Sequence, residues 1–156
     1  MSNSIRNSRE AQVRLSDAMQ SYRVAFERVE ALVREGSRSG KLPGWVFAVD
    51  RLTDEQVLQL PAVLQAAELQ RRRERVALHC VAELIALEQV PGVGWAPPEP
   101  LQDPQADRAG LLEGEPDSAS RADLDRFIAI VDFARRHGVI YTDGTFRVVE
   151  QHEPQS

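Results

Sequence analysis

Between Arg9 and Glu35, the residues Leu15, Met19, Tyr22, Phe26, Val29 and Val33 return at alternating steps of four and three. Each residue of an α-helix turns about 100°, so this rhythm keeps one apolar seam along a single face. Ala18, Ala25 and Leu32 widen the seam to the stripe of a core-facing helix. Gly36 predicts the helix stop, and Gly40 and the Pro43-Gly44 pair extend the break. A helix of this reach is about 40 Å long. It needs an apolar partner along that whole length, and this need constrains the fold more than any other feature.

The partner comes from residues 53–88. Thr53-Asp-Glu-Gln56 matches a capping box, in which the Thr53 hydroxyl accepts from the helix start and Gln56 reaches back. A short helix to Leu60 follows, and Pro61 marks a kink or the first turn of a new helix. Val57, Leu60, Leu64 and Ala67, then Arg71 and Glu74, then Leu78, Val81 and Ile85 keep the same rhythm to about Glu88, before Pro91-Gly92. The central rung is thus an arginine and a glutamate. From Gln70 to Arg75 there is no apolar residue, and six successive helical positions sweep the whole circumference. The core is expected to be interrupted there. In an antiparallel pair the Arg71/Glu74 rung should face Met19 and Tyr22.

Trp45–Val49 is a short apolar run that fits either a strand or a buried turn. Trp45 and Trp95 each follow a Pro-Gly pair, and both are expected to plug the end of a helix. Residues 91–120 are rich in Pro, Gly and acids and read as a mobile linker or loop, anchored by Trp95 and Leu111-Leu112. Ser120 is the expected cap of a third helix, with Leu124, Phe127, Ile128, Val131 and Ala134 as its buried stripe and Gly138 as its stop. Two β-branched and aromatic runs, Val139–Thr142 and Thr145–Val149, flank Asp143-Gly144, a strong hairpin signal. The chain therefore reads as mainly α: a helical bundle on two long antiparallel helices, with a short C-terminal β-hairpin. Residues 1–90 form the bundle core, 91–120 the acidic linker, and 121–150 the helix and hairpin.

Charge narrows the function. The net charge is −5, but residues 1–90 carry 13 Lys+Arg against 12 Asp+Glu, and residues 91–120 carry 1 against 6. The excess negative charge thus sits in the linker, and no strongly basic surface is available to neutralise duplex phosphates. Aromatic residues make up 6% of the chain, which leaves few platforms for stacking bases. A single cysteine, Cys80, excludes an intramolecular disulfide. The N-terminus lacks a signal-type apolar region, and the longest apolar runs, Trp45–Val49 and Phe127–Val131, are far short of a membrane span. A cytoplasmic location is expected, with no membrane partner.

Two constellations could carry function. The Arg71-Arg72-Arg73-Glu74-Arg75 run offers guanidinium forks to carboxylates or phosphates. Its plainer reading is a solvated helix face, with Glu68 placed to pair Arg71 and Arg72. The hairpin offers Tyr141, Phe146 and Arg147 to a partner, by side chains or by strand addition. Together with Arg135 and Arg136 it also permits a winged-helix reading, in which helix and hairpin meet DNA. Against that stand Asp123, Asp125 and Asp132 beside the same backbone, and the lack of a partner helix one tight turn upstream. His79 and Cys80 are adjacent and diverge by about 100° on a helix, so they do not form a metal site. No phosphate loop, serine elbow or zinc-protease motif occurs, and no cofactor or catalytic residue is expected.

The expected function is non-catalytic protein–protein association, as an adaptor, accessory subunit or inhibitor with a partner of acidic surface. The first helix's seam could also be covered by a second copy, giving a homodimer. In type, the small, arginine-rich, motif-free acidic chain resembles bacteriophage accessory proteins that block host machinery.

Overall fold

A computed structural model describes residues 2–42, 44–88, 118–142 and 144–149. Helix α1 (Ser2–Arg38) leads into a 3-10 helix (Gly44–Arg51), a short α2 (Asp54–Leu58) and the long α3 (Ala62–Glu88). Helix α4 (Ser118–Arg136) and an antiparallel hairpin of β1 (Val139–Thr142) and β2 (Thr145–Val148) complete the described chain. The expected linker falls mainly in residues 89–117, so its anchors Trp95, Leu111 and Leu112 lie outside the described residues, as does the side chain of Trp45. Among the described residues no helix is long and apolar enough to cross a membrane.

The helix ends follow local chemistry. Helix α1 runs through Gly36 and stops at Gly40, which takes the left-handed φ of 71°. The Gly40 amide donates to the Ser37 carbonyl and the Lys41 amide to the Gly36 carbonyl, the paired bonds of a Schellman cap. Gly36 was expected to be the stop. Its actual use is steric, because a Cβ there would sit 2.6 Å from the Leu42 side chain folded back over the helix. The Thr53 box forms as expected, with Gln56 N donating to Thr53 Oγ1 at 3.2 Å and Thr53 N donating to Gln56 Oε1 at 2.9 Å. Pro61 lies between helices, and its carbonyl accepts the first bond of α3 from Gln65 N at 2.8 Å. Trp45–Val49 is neither strand nor plain turn but lies in the 3-10 helix. Ser120 lies inside α4, which begins at Ser118; Ala119 and Ser120 simply continue the helical turn.

Helices α1 and α3 pack antiparallel along most of their length. Arg14 meets Glu88, Tyr22 meets Arg71, and Val29 shares a cluster with Leu64. The seam on α1 is rotated from the expected one. Ala11, Ala25 and Val29 are buried, whereas Met19 is 55% exposed and Phe26 38%. Ala11, Leu15, Ala18, Tyr22, Ala25, Val29 and Leu32 keep the four–three rhythm on that face. Small residues on every other rung let α3 approach closely, and the bulkier Met19 and Phe26 flank the contact.

Helix α3 does something the sequence did not announce. Its first half buries Leu64, Ala67, Glu68 and Arg71; its second half buries Ala77, Cys80, Val81, Leu84 and Leu87. With about 100° per residue, the centres of these two faces differ by roughly 150°. The helix therefore changes sides at residues 70–75. The first half closes a cluster with Val29, Val46, Val49, Val57 and Leu60, and the second closes another with Phe127, Val131, Ala134, Val139 and Phe146. The interruption expected in the core is the place where the buried face switches.

In the hairpin, Tyr141 pairs with Phe146 and Ile140 with Arg147 around a two-residue turn whose Gly144 has φ 80°. Val139 and Phe146 point into the second cluster, and Ile140 and Arg147 point out. Tyr141 stands edge-on to Phe127 at 5.1 Å and to Phe146 at 5.4 Å between ring centroids.

Candidate functional site

The arginine run is split by its helix, since successive side chains point in different directions. Arg71 is 2% exposed and turns inward, where its Nε and Nη2 each donate to the fully buried Glu68 carboxylate at 2.7 Å. Its remaining nitrogen donates to the Tyr22 hydroxyl at 3.2 Å. The Arg71 guanidinium is held well above its ordinary pKa, first by the Glu68 hydrogen bonds, which outweigh desolvation. The rung facing Tyr22 is therefore Arg71 with Glu68. Glu74 is not its partner; it accepts from Gln70 at 2.9 Å, and burial pushes its carboxyl above the usual range.

Arg72 shares the same carboxylate, with Nε 2.6 Å from Glu68 Oε2, and its outer nitrogens reach the Leu52 carbonyl at 2.7 Å and Asp54 at 3.3 Å. It staples the segment entering α2 onto α3. Arg73 lies across Gly138 (φ 79°), where a Cβ would sit 3.0 Å from Arg73 Nε and 3.2 Å from its Cδ. Of the run, only Arg75 is exposed.

Arg75 borders a groove of about 530 Å³ where the 3-10 helix, α3 and α4 meet. Leu52, Val76 and Phe133, each half-buried, supply apolar wall. Arg51 stands on the facing segment, and His79 lies edge-on to Phe133 at 6.0 Å between ring centroids. Four arginines line the groove (Arg51, Arg71, Arg72 and Arg75) against a single Asp50, with Glu68 behind them offsetting one charge. Among the described residues neither Arg51 nor Arg75 has an ion-pair partner. Arg51, His79 and Phe133 escaped the sequence reading. The spacing of Arg72, Arg75 and His79, three then four residues, was the available signal; Arg51 and Phe133 come from other elements and had none.

Tyr141, Phe146 and Arg147 do not join this groove. Tyr141 and Phe146 are spent on the second cluster. Arg147 opens instead on a cleft of about 570 Å³ between α1, α3 and β2, where Arg14 and Arg147 balance Asp17 and Glu74. Arg14 is already engaged there, bonding both Glu88 oxygens and the Gly144 carbonyl, which ties α1 to the end of α3 and to the hairpin turn. The outer face of α4 alternates in sign through Arg121, Asp125 and Arg126, and Arg126 lies 3.4 Å from Glu83. Among the described residues no group of three His, Cys, Asp or Glu could hold a metal ion. Cys80 is fully buried, and desolvation raises its thiol to about 11. No known protein family, curated protein or solved structure matches the chain.

Proposed function

We propose that the protein is a non-catalytic binding module for another protein, an adaptor, accessory subunit or inhibitor, and that it contacts its partner through the groove between the 3-10 helix, α3 and α4. The observation that carries this reading is the pair of guanidiniums without an ion-pair partner among the described residues, Arg51 and Arg75, set beside an apolar wall. Arginine beside half-buried apolar side chains is the composition of interface hot spots rather than of a solvated helix face. Arg71 and Arg72 are engaged within the fold, so they position the groove instead of meeting the partner.

The nucleic-acid alternative has weaker support. Arg135, Arg136 and Arg147 are exposed, but α4 shows acids among its cations. Affinity capture from the native host tests the main reading. The wild-type chain is expected to retain a defined protein that the Arg51→Glu/Arg75→Glu double variant loses. Retention of the same proteins by both would remove the groove from the contact, and with it the reading.

A further inference from the structure

We infer that the groove takes an acidic peptide segment in which carboxylates bracket one large apolar side chain. This rests on the reading of the groove as the partner-binding surface and names the chemistry of what enters it. Three observations point the same way. Of the four arginines lining the groove, Arg71 and Arg72 are met by Glu68 and Asp54, whereas Arg51 and Arg75 have no counter-charge among the described residues, so a cationic or neutral segment would leave these two unmet. Arg51 and Arg75, the two groove arginines without an ion-pair partner among the described residues, belong to different elements, the 3-10 helix and α3, so acids on both sides of a central residue meet one each. In the same groove, Leu52, Val76 and Phe133 offer an apolar wall that a purely charged ligand would leave uncovered.

Arg71 and Arg72 give the site its rigidity. Both are locked to Glu68, and Arg72 also holds the Leu52 carbonyl, so the wall carrying Arg51 is fixed relative to Arg75 before any ligand arrives. Guanidinium forks suit carboxylates and phosphates alike. The apolar wall and the nearby Asp50 and Asp54 favour an interrupted pattern of charge over the continuous phosphates of a nucleic acid.

The test is an NMR titration of the full chain with acetyl-Glu-Glu-Phe-Glu-Glu-amide. Saturable shifts are expected at Leu52, Val76 and Phe133. Affinity should fall about tenfold or more in Arg51→Glu and in Arg75→Glu, the size of a lost charge-assisted hydrogen bond. It should fall again when the central Phe of the peptide becomes Ser. Both variants alter exposed side chains without an ion-pair partner among the described residues, so circular dichroism should be unchanged. Phe133→Leu keeps the apolar wall and should bind within a fewfold of wild type. Equal binding by the variants, or tighter binding of a duplex oligonucleotide than of the peptide, would overturn the inference. If the peptide fails while capture of a host protein still depends on Arg51 and Arg75, the acidic-segment inference falls and the partner-binding reading stands. If the peptide binds but no captured protein depends on those arginines, the reverse holds.

Discussion

The two ends of the molecule are built on the same helix with different materials. Around the second half of α3 the core contains Phe127, Phe146 and the half-buried Tyr141 at edge-on spacing, with Val131, Ala134 and Val139 filling between. Around its first half the buried side chains are smaller aliphatics (Val29, Val46, Val49, Val57, Leu60, Leu64, Ala67), and the cluster abuts a buried ion pair. One core is held by aromatic area. The other has less apolar volume and is bounded by charges whose value lies in geometry, because desolvation of a buried pair consumes much of its attraction. The exposed arginines of the proposed groove border the second kind of structure, where the rigidity comes from Glu68 and its guanidiniums.

Breaking each region in its own way should separate them. Phe127→Ala removes a fully buried ring from the aromatic core and should cost about 3–5 kcal/mol of unfolding free energy in a denaturant titration. Much of the total stability of a small domain would be lost, since that total is only about 5–15 kcal/mol. Glu68→Ala should approach the same loss, about 3–5 kcal/mol, because Arg71 would remain buried without its counter-charge. The double change Glu68→Leu with Arg71→Met should recover most of it, and failure to recover would mean that the pair contributes more than mutual compensation. Thr53→Ala, which opens the capping box at the entrance to α2, should cost about 1 kcal/mol by thermal denaturation and leave the aromatic end untouched.

Glu74 supplies the smallest and most conditional effect. Its carboxyl is raised by desolvation, so the folded chain holds that proton better than the unfolded chain does. The contribution favours folding at low pH and declines as pH rises from the ordinary carboxylate range through the raised value. Glu74→Gln should therefore stabilise the protein at neutral pH. The gain should vanish in acid, and a gain independent of pH would assign it to packing.

Much of this architecture was legible because it rests on local signals. The capping box, the glycine after α4 and the Asp-Gly hairpin each depend on a few adjacent residues whose chemistry admits little else. The polar interval at Gln70–Arg75 announced an interrupted core. Its cause was not legible, because a change of buried face needs knowledge of what packs on each flank, and α4 arrives from far along the chain. The rotated seam on α1 has a similar origin. Met19 and Phe26 are the more hydrophobic candidates, but alanines permit closer approach of α3, and tertiary packing chose the smaller residues. Arg14 and Arg51 stood on apparently wet positions, with nothing nearby in sequence to mark their destinations. The groove is thus half legible: Arg72 and Arg75 could be read from the run, whereas its apolar wall and its opposite cation are products of the fold.

The switch of buried face in α3 makes that helix an axle gripped from opposing flanks at its two ends. Inserting one residue among positions 70–75 would turn one grip by about 100° against the other and move it about 1.5 Å along the axis. Exchanging the exposed Gln70 there disturbs neither phase nor length, whereas Arg71 and Arg72 are fixed by Glu68. The outward positions of this stretch are thereby tolerant of spelling and the whole of it intolerant of word count, a rule that comes from rotation.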